Sequence, residues 1–176
     1  PHGNYQPACI AASNTHDDNI FAVGGSVSTF FWKFTISTGG WGNGNALNTG
    51  RTDCGCNIYH NTIYVISGSS TKTIEYLDNL HGDINANEHP WITMSGNNTL
   101  DEEVPRPRSV VYGTDIYILG IKESAAITND VYILDTTTNT LSKVSDTSMN
   151  LPVAVAIPSV IFANGVIYAF GGQIQS

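Results

Sequence analysis

The sequence is poor in charged residues, and in positively charged ones above all. Asp, Glu, Lys and Arg make up 12% of its 176 residues, about half of the share usual in globular proteins. Seven Lys and Arg stand against 15 Asp and Glu, which gives a net charge of −8. A protein that binds nucleic acid or an anionic membrane surface needs Lys and Arg to neutralise phosphates. We therefore expect neither nucleic acid nor a membrane surface as a partner.

Long apolar runs and helical periodicity are also missing. No run approaches the roughly 18 apolar residues of a transmembrane helix, and no segment carries apolar residues at helical spacing. These absences predict an all-β protein without membrane insertion. Ser, Thr, Asn and Gly fill the polar positions, a composition that favours a secreted or extracellular protein over the alternative, a cytoplasmic one.

Cysteine is scarce, with three residues in the chain. Cys54 and Cys56 are two positions apart, so on a strand they share one face. A disulfide between Cys9 and either of them is one interpretation, and three small buried thiols are the other. The one glycosylation sequon begins at Asn97, beside a glycine that indicates a loop.

Four similar apolar segments recur along the chain, at residues 20–25, 63–68, 116–121 and 167–172. Each is rich in β-branched and aromatic residues and ends at or near glycine, as a buried strand with a tight exit does. Each also follows another apolar stretch and a turn. In the first three copies a third and a fourth strand follow, so the repeat predicts four-stranded antiparallel sheets.

The repeated positions resemble the Kelch repeat. In that pattern glycines follow the second strand, a strand of the Tyr-x-x-Asp type comes next, then a Trp at a fixed distance, and then an Arg before the next copy. The positions that carry the resemblance are Gly24, Gly25, Gly68, Gly120, Gly171, Gly172, Trp41, Trp91, Asp135, Arg51 and Arg108. The chain departs from the pattern at Ser67 and Ile121, which replace glycines, and at Leu141, which replaces Trp.

The resemblance implies a Kelch-type β-propeller, whose parent ring has six or seven blades. Three blades are expected at about residues 5–46, 51–96 and 108–147, and the inner half of a fourth at 153–176. Three and a half blades do not close such a ring, so we expect the chain to be part of a longer propeller. Its remaining blades, or partner chains, would cover the open blade faces. The repeated glycines and aromatic residues then have structural roles.

In rings of this kind, binding residues lie on loops at one mouth, after the second strand or before the first. All three arginines of the chain fall in the second class of loop, and arginine is suited to bidentate recognition of carboxylates. The alternative is that these arginines pair with carboxylates of a neighbouring blade. The candidate ligand-binding residues are Ser26, Arg51, Asp53, Ser69, Lys72, Arg106, Arg108 and Glu123.

The function that we expect is non-catalytic: a binding or scaffold module that recognises a protein or a glycan. A structural component of an extracellular assembly or coat is one alternative, and a piece of a galactose-oxidase-like enzyme is another. The copper site of galactose oxidase needs a tyrosine near the start of an inner strand, where this chain has Asp53. No catalytic motif is visible, and the residues of 81–89 match no metal-ligand spacing. We therefore expect no cofactor and no metal.

Overall fold

A computed structural model describes residues 9–13, 19–26, 28–69, 71–80, 89–119 and 127–174. Within these residues the chain forms β-strands and one 3₁₀ turn at Thr147–Met149. The prediction of an all-β protein is confirmed at this level. Three four-stranded antiparallel sheets and one two-stranded sheet follow one another, and within each sheet the strands lie side by side in chain order.

The strand boundaries repeat from sheet to sheet. Sheet 1 contains β1 (Cys9–Ser13), β2 (Asn19–Val23), β3 (Phe31–Thr35) and β4 (Gly40–Asn43). Sheet 2 contains β5 (Gly55–Tyr59), β6 (Thr62–Ile66), β7 (Ile74–Leu77) and β8 (Ile92–Thr93). Sheet 3 contains β9 (Arg108–Tyr112), β10 (Asp115–Leu119), β11 (Tyr132–Asp135) and β12 (Thr140–Lys143). Sheet 4 contains β13 (Ser159–Ala163) and β14 (Val166–Phe170).

The first strands of successive sheets lie next to one another, β1 against β5, β5 against β9 and β9 against β13. This arrangement gives the sheets a blade-like order. The contact between β5 and the segment before β9 is close, because a Cβ on Gly55 would lie 3.1 Å from both Cγ and the carbonyl oxygen of Pro107. Glycine at this position therefore allows neighbouring sheets to approach at their first strands.

Sheet 2 is buried on both faces, and β6 shows why its sequence is almost wholly apolar. Successive side chains of a strand point to opposite faces. Ile63 and Val65 enter the apolar cluster between sheets 1 and 2, whereas Tyr64 and Ile66 enter the cluster between sheets 2 and 3. Burial of one such side chain contributes about 1.5–3 kcal/mol, so the packing of sheets against each other stabilises the fold.

The residues that follow the second strand of sheets 1, 2 and 4 share one backbone conformation. Both residues have positive φ in each case, at Gly24 and Gly25, at Ser67 and Gly68, and at Gly171 and Gly172. Ser67 keeps the left-handed conformation although it is not glycine, with φ of 48°. At Gly68 a side chain is sterically excluded, because a Cβ would lie 2.6 Å from the carbonyl oxygen of Thr52. The equivalent Gly120 and Ile121 of sheet 3 lie outside the described residues.

The two predicted repeat tryptophans occupy matching positions but different environments. Trp41 lies opposite Phe34 in sheet 1, and the register of sheet 2 places Trp91 opposite Leu77 in the same way. Trp91 is 4% exposed and stacks edge-on against Phe31, 5.2 Å away between ring centroids. Trp41 is 55% exposed, since it lies on the face of sheet 1 that is turned away from sheet 2.

Sheet 4 has an apolar face and a cavity beside it. Tyr168 and Phe170 hold the positions of Tyr64 and Ile66 in β6, yet they are 49% and 59% exposed. On its other face, sheet 4 contacts sheet 3 through stacked rings of Tyr112 and Phe162. A cavity of about 430 Å³ lies between β14, sheet 3 and residues 149–152.

Candidate functional site

The loops after the second strand and before the first strand lie at the same end of the sheets, which we call the loop end. Antiparallel pairing requires this, since the second strand ends where the first begins. Of the eight ligand-binding positions predicted from the sequence, the structure describes seven, and these belong to such loops or adjoin them. Glu123 lies outside the described residues.

The side chain of Arg51 makes its hydrogen bonds within the protein and does not face the loop-end surface. Its side chain is fully buried, and its guanidinium contacts the carboxylate of Glu75, which is also fully buried. The remaining N–H groups donate to the carbonyl oxygens of Thr49, Ser67 and Thr73 at 3.0–3.4 Å and to Oγ1 of Thr73 at 3.3 Å. A guanidinium has five N–H donors, so none is left for a ligand. Arg51 thus has a structural role, but its carboxylate partner belongs to β7 of the same predicted blade, 51–96, and not to a neighbouring blade as the alternative interpretation expected.

Glu75, which was not singled out from the sequence, accepts hydrogen bonds at both of its carboxylate oxygens. Its Oε2 accepts from the backbone N–H of Asn48 at 2.7 Å, and its Oε1 accepts from the N–H of Thr49 at 3.0 Å. The pair therefore links the connection between sheets 1 and 2 to β7 and, through Ser67, to the exit of β6. Hydrogen bonds at both ends offset the desolvation of the two buried charges. One indication of this buried pair was present in the sequence, because Glu75 is an acidic residue within an otherwise apolar strand.

Asp53, Ser69 and Arg106 come together at the loop end, and we call them the Asp53 cluster. Arg106 Nε donates to Asp53 Oδ1 at 3.1 Å, and the Ser69 hydroxyl donates to Asp53 Oδ2 at 3.3 Å. The backbone N–H of Arg106 also donates to the carbonyl oxygen of Asp53 at 2.6 Å. The cluster thus joins the loops that precede β5 and β9 to the loop that follows β6.

The backbone of the Asp53 cluster is held in an uncommon conformation. Asp53 and Arg106 have φ of 52° and 58°, and each lies two residues before the first strand of its sheet. Ile157 repeats this conformation two residues before β13, with φ of 56°. Non-glycine residues adopt positive φ at a cost of about 1–3 kcal/mol each, and they keep it only where the surrounding structure holds them there. The repetition shows that the loops before the first strands share one geometry.

Among the described residues, the other predicted binding residues make no hydrogen bond or ion pair with the Asp53 cluster. Ser26 is exposed after β2 with φ of 48°. Lys72 is exposed, and its Nζ lies 3.5 Å from the carbonyl oxygen of Asp101. Arg108 is half-buried at the start of β9, opposite Leu119. The structure therefore brings three of the predicted residues into direct contact and leaves the others separate.

A second polar network ties the link between sheets 2 and 3 to the outer strands of sheet 3. The Tyr132 hydroxyl donates to Asp101 Oδ2 at 2.6 Å, and Lys143 Nζ donates to the same oxygen at 3.2 Å. Lys143 also lies 2.9 Å from Asp130 Oδ2. The hydrogen bond from Tyr132 lowers the pKa of the Asp101 carboxyl, and burial raises the pKa of the Tyr132 hydroxyl. Sequence reasoning did not find this network.

The remaining predicted sites have the following positions. Asn97 is exposed. Cys54 is buried and Cys56 half-buried, while the side chain of Cys9 lies outside the described residues, so the disulfide stays a prediction.

Residues 81–88, which hold most of the acidic and histidine side chains considered as metal ligands, also lie outside the described residues. Within the described part of the chain, no three His, Cys, Asp or Glu side chains are grouped as a metal would require.

The described ranges contain no helix long and apolar enough to cross a membrane.

No protein-family model matches the chain, and a search of curated protein sequences finds no significant relative. Function must therefore be inferred from the geometry of the loop end and the arrangement of the sheets.

Proposed function

We propose that this protein is a non-catalytic binding module of the Kelch-type β-propeller class and that its loop end recognises a protein or a glycan outside the cell. The observation that carries the proposal is the Asp53 cluster. Three residues from three separate loops meet there, and all three are at least partly exposed. Function on loops held by a rigid scaffold is the usual arrangement in all-β binding proteins.

Arg106 is the ligand-contacting residue in this proposal. Its side chain is 56% exposed. Its Nε donates a hydrogen bond to Asp53 Oδ1. Among the described residues, no partner engages its two terminal nitrogens. These nitrogens present donors in a fixed fork, which suits a carboxylate or the paired hydroxyls of a sugar. Asp53 therefore orients the guanidinium, and Ser69 fixes the carboxylate of Asp53 in turn.

Three features support the assignment to Kelch-type propellers. The sheets repeat with the same strand order, and their first strands are adjacent. The positive-φ conformation recurs after the second strand of sheets 1, 2 and 4, where the resemblance expects glycines. The Trp positions also match, since Trp41 and Leu141 lie opposite equivalent residues of the third strand and Trp91 directly precedes β8, where the register continues to the same position.

The experiment is a screen of the purified chain against an array of acidic and neutral glycans and a library of displayed peptides. We expect Arg106→Ala to weaken the strongest binder at least about tenfold, because a hydrogen bond to a charged group contributes about 1.5–3 kcal/mol. The matched control is Asp78→Ala, an exposed carboxylate at the opposite end of sheet 2, which should leave the affinity unchanged. Equal affinities of the two variants, or the absence of any binder, would count against the proposal.

A structural role in an assembly is the second candidate, and the open apolar faces favour it. Trp41 on sheet 1 and Phe170 on sheet 4 are each more than half exposed, although equivalent positions in sheet 2 are buried. Exposed apolar faces of this kind are typical of contact surfaces. Sedimentation of the chain over a range of concentrations tests this role: association that Trp41→Ser and Phe170→Ser both reduce supports it, and a monomer at all concentrations excludes it.

A further inference from the structure

The turn that carries Asn97 is exposed and sharply bent. Asn97 follows Gly96, which has φ of 66°, and the N–H of Asn98 donates to the carbonyl oxygen of Ser95 at 3.3 Å. The side chain of Asn97 is exposed, whereas that of Thr99 is half-buried. Residues 97–99 form an Asn-x-Thr triplet, which is the acceptor sequence for N-linked glycans. The structure thus places the acceptor asparagine at the tip of a surface turn.

Contacts on both sides of this turn hold it against the protein. Before it, the N–H of Met94 donates to the carbonyl oxygen of Ile74 at 2.9 Å, and after it, the N–H of Leu100 donates to that of Lys72 at 3.1 Å. Met94 and Leu100 are buried in the cluster between sheets 2 and 3. The core contacts therefore belong to residues on either side of the turn, and a group attached to Asn97 displaces none of them.

Asn98 anchors the turn to sheet 3. Its Oδ1 accepts from the backbone N–H of Leu141 at 3.0 Å, on the outermost strand β12. One asparagine of the pair is thus occupied by the fold, and the other faces solvent. The exposed asparagine is also the one with a Thr two positions later.

We propose that Asn97 is a site of N-linked glycosylation and that the folded protein carries the glycan there. In this modification the side-chain nitrogen of Asn97 forms a bond to the anomeric carbon of an oligosaccharide linked to a polyprenyl diphosphate. The bond between that carbon and the diphosphate oxygen breaks, the diphosphate leaves, and the amide nitrogen loses one proton. No oxidant or reductant takes part. The proposal does not rest on the Asp53 cluster, so either can fail without the other.

Cell-free translation with microsomes provides the test, with a cleavable leader fused to the chain. We expect the protease-protected product to gain the mass of a glycan. An amidase that releases N-glycans should remove that mass and leave Asp at position 97. Protected chain without added mass would overturn the proposal, because it would have met the transferase without being modified.

Three variants assign the modification to this triplet. Asn97→Gln and Thr99→Ala should abolish the mass gain, whereas Thr99→Ser should retain it because the hydroxyl is kept. Asn98→Gln is the matched control: it alters the contact with Leu141 but not the acceptor residues, so its modification should persist. Mass gain that survives Asn97→Gln would contradict the assignment.

A second measurement asks whether the folded state accepts the glycan. The glycosylated and enzymatically deglycosylated chains should resist proteolysis equally, since Asn97 makes none of the core contacts. Glycosylated material that is digested as readily as urea-unfolded chain would show that the modification is incompatible with this fold, and would overturn the second part of the proposal.

Discussion

The guanidinium of Arg51 donates to the carboxylate of Glu75, and both side chains are fully buried. Along the chain, Arg51 precedes and Glu75 follows the exit loop of β6, and Arg51 also donates to the carbonyl oxygen of Ser67 in that loop. The pair thus fixes the loop that presents Ser69 to the Asp53 cluster. A buried charge pair has a structural task here and indirectly shapes the candidate binding surface.

Replacement of Glu75 by alanine should strongly destabilise the folded protein. Glu75→Ala leaves the charge of Arg51 buried without its partner, so we expect a loss of about 3–5 kcal/mol in the free energy of unfolding. Glu103→Ala removes an exposed carboxylate and should change it by less than about 0.5 kcal/mol. Urea unfolding of both variants measures the difference. A loss below about 1 kcal/mol for Glu75→Ala would contradict the burial of the pair.

Two glycines with positive φ should respond differently to alanine. Gly68→Ala places a Cβ 2.6 Å from the Thr52 carbonyl oxygen, so backbone must move and we expect at least about 2 kcal/mol of destabilisation. Gly96→Ala adds a Cβ with no heavy atom within 4 Å and should cost about 1 kcal/mol from the left-handed conformation alone. Thermal or urea unfolding separates the two variants. Equal losses would show that the Thr52 contact is absent.

The two equivalent tryptophans provide a test of how the sheets stack. Trp91→Ala opens a cavity between sheets 1 and 2 and should cost about 3–5 kcal/mol. Trp41→Ala removes a ring that is more than half exposed and should cost less than about 1.5 kcal/mol. Urea unfolding of the pair is the measurement. If Trp41→Ala were the more damaging change, the face of sheet 1 on which Trp41 lies would have to be covered.

Acid should weaken the link between sheets 2 and 3. The hydrogen bond from Tyr132 lowers the pKa of Asp101 in the folded state. The stability that this carboxylate contributes is therefore present above its unfolded pKa of about 3.9 and is lost as the pH falls through the lower folded pKa. Tyr132→Phe removes the donor, so the pKa of Asp101 should rise in an NMR titration of its side-chain carboxyl. An unchanged titration curve would rule out this contact in solution.

Local patterns predicted the strands and their order. The apolar segments at the second strands, the six-residue spacing from Asp135 to Leu141 and the Asn164-Gly165 turn all involve residues close together in the chain. The structure confirms their consequences, since β11 pairs with β12 through Leu134 and Leu141, and Asn164 and Gly165 join β13 to β14. Alternation of side chains and turn chemistry act over short distances, so one sequence suffices to predict them.

The partners of polar side chains were beyond local prediction. Nothing near Arg51 in the sequence shows that Glu75 will meet it, and Asp101 finds Tyr132 and Lys143 only because sheet 3 folds beside its loop. The sequence placed Asp53, Ser69 and Arg106 in two classes of loop at one end. Their direct contact, and the burial of Arg51 away from them, depends on how neighbouring sheets stack.

The location of a bound ligand on the protein tests the central claim most directly. With the strongest glycan or peptide from the screen, backbone NMR shifts should be recorded during a titration of the labelled chain. We predict changes concentrated at Asp53, Ser69 and Arg106, with none at Asn164 and Gly165 at the opposite end. Changes concentrated at that opposite end, or on the exposed faces around Trp41 and Phe170, would contradict recognition through the loop end.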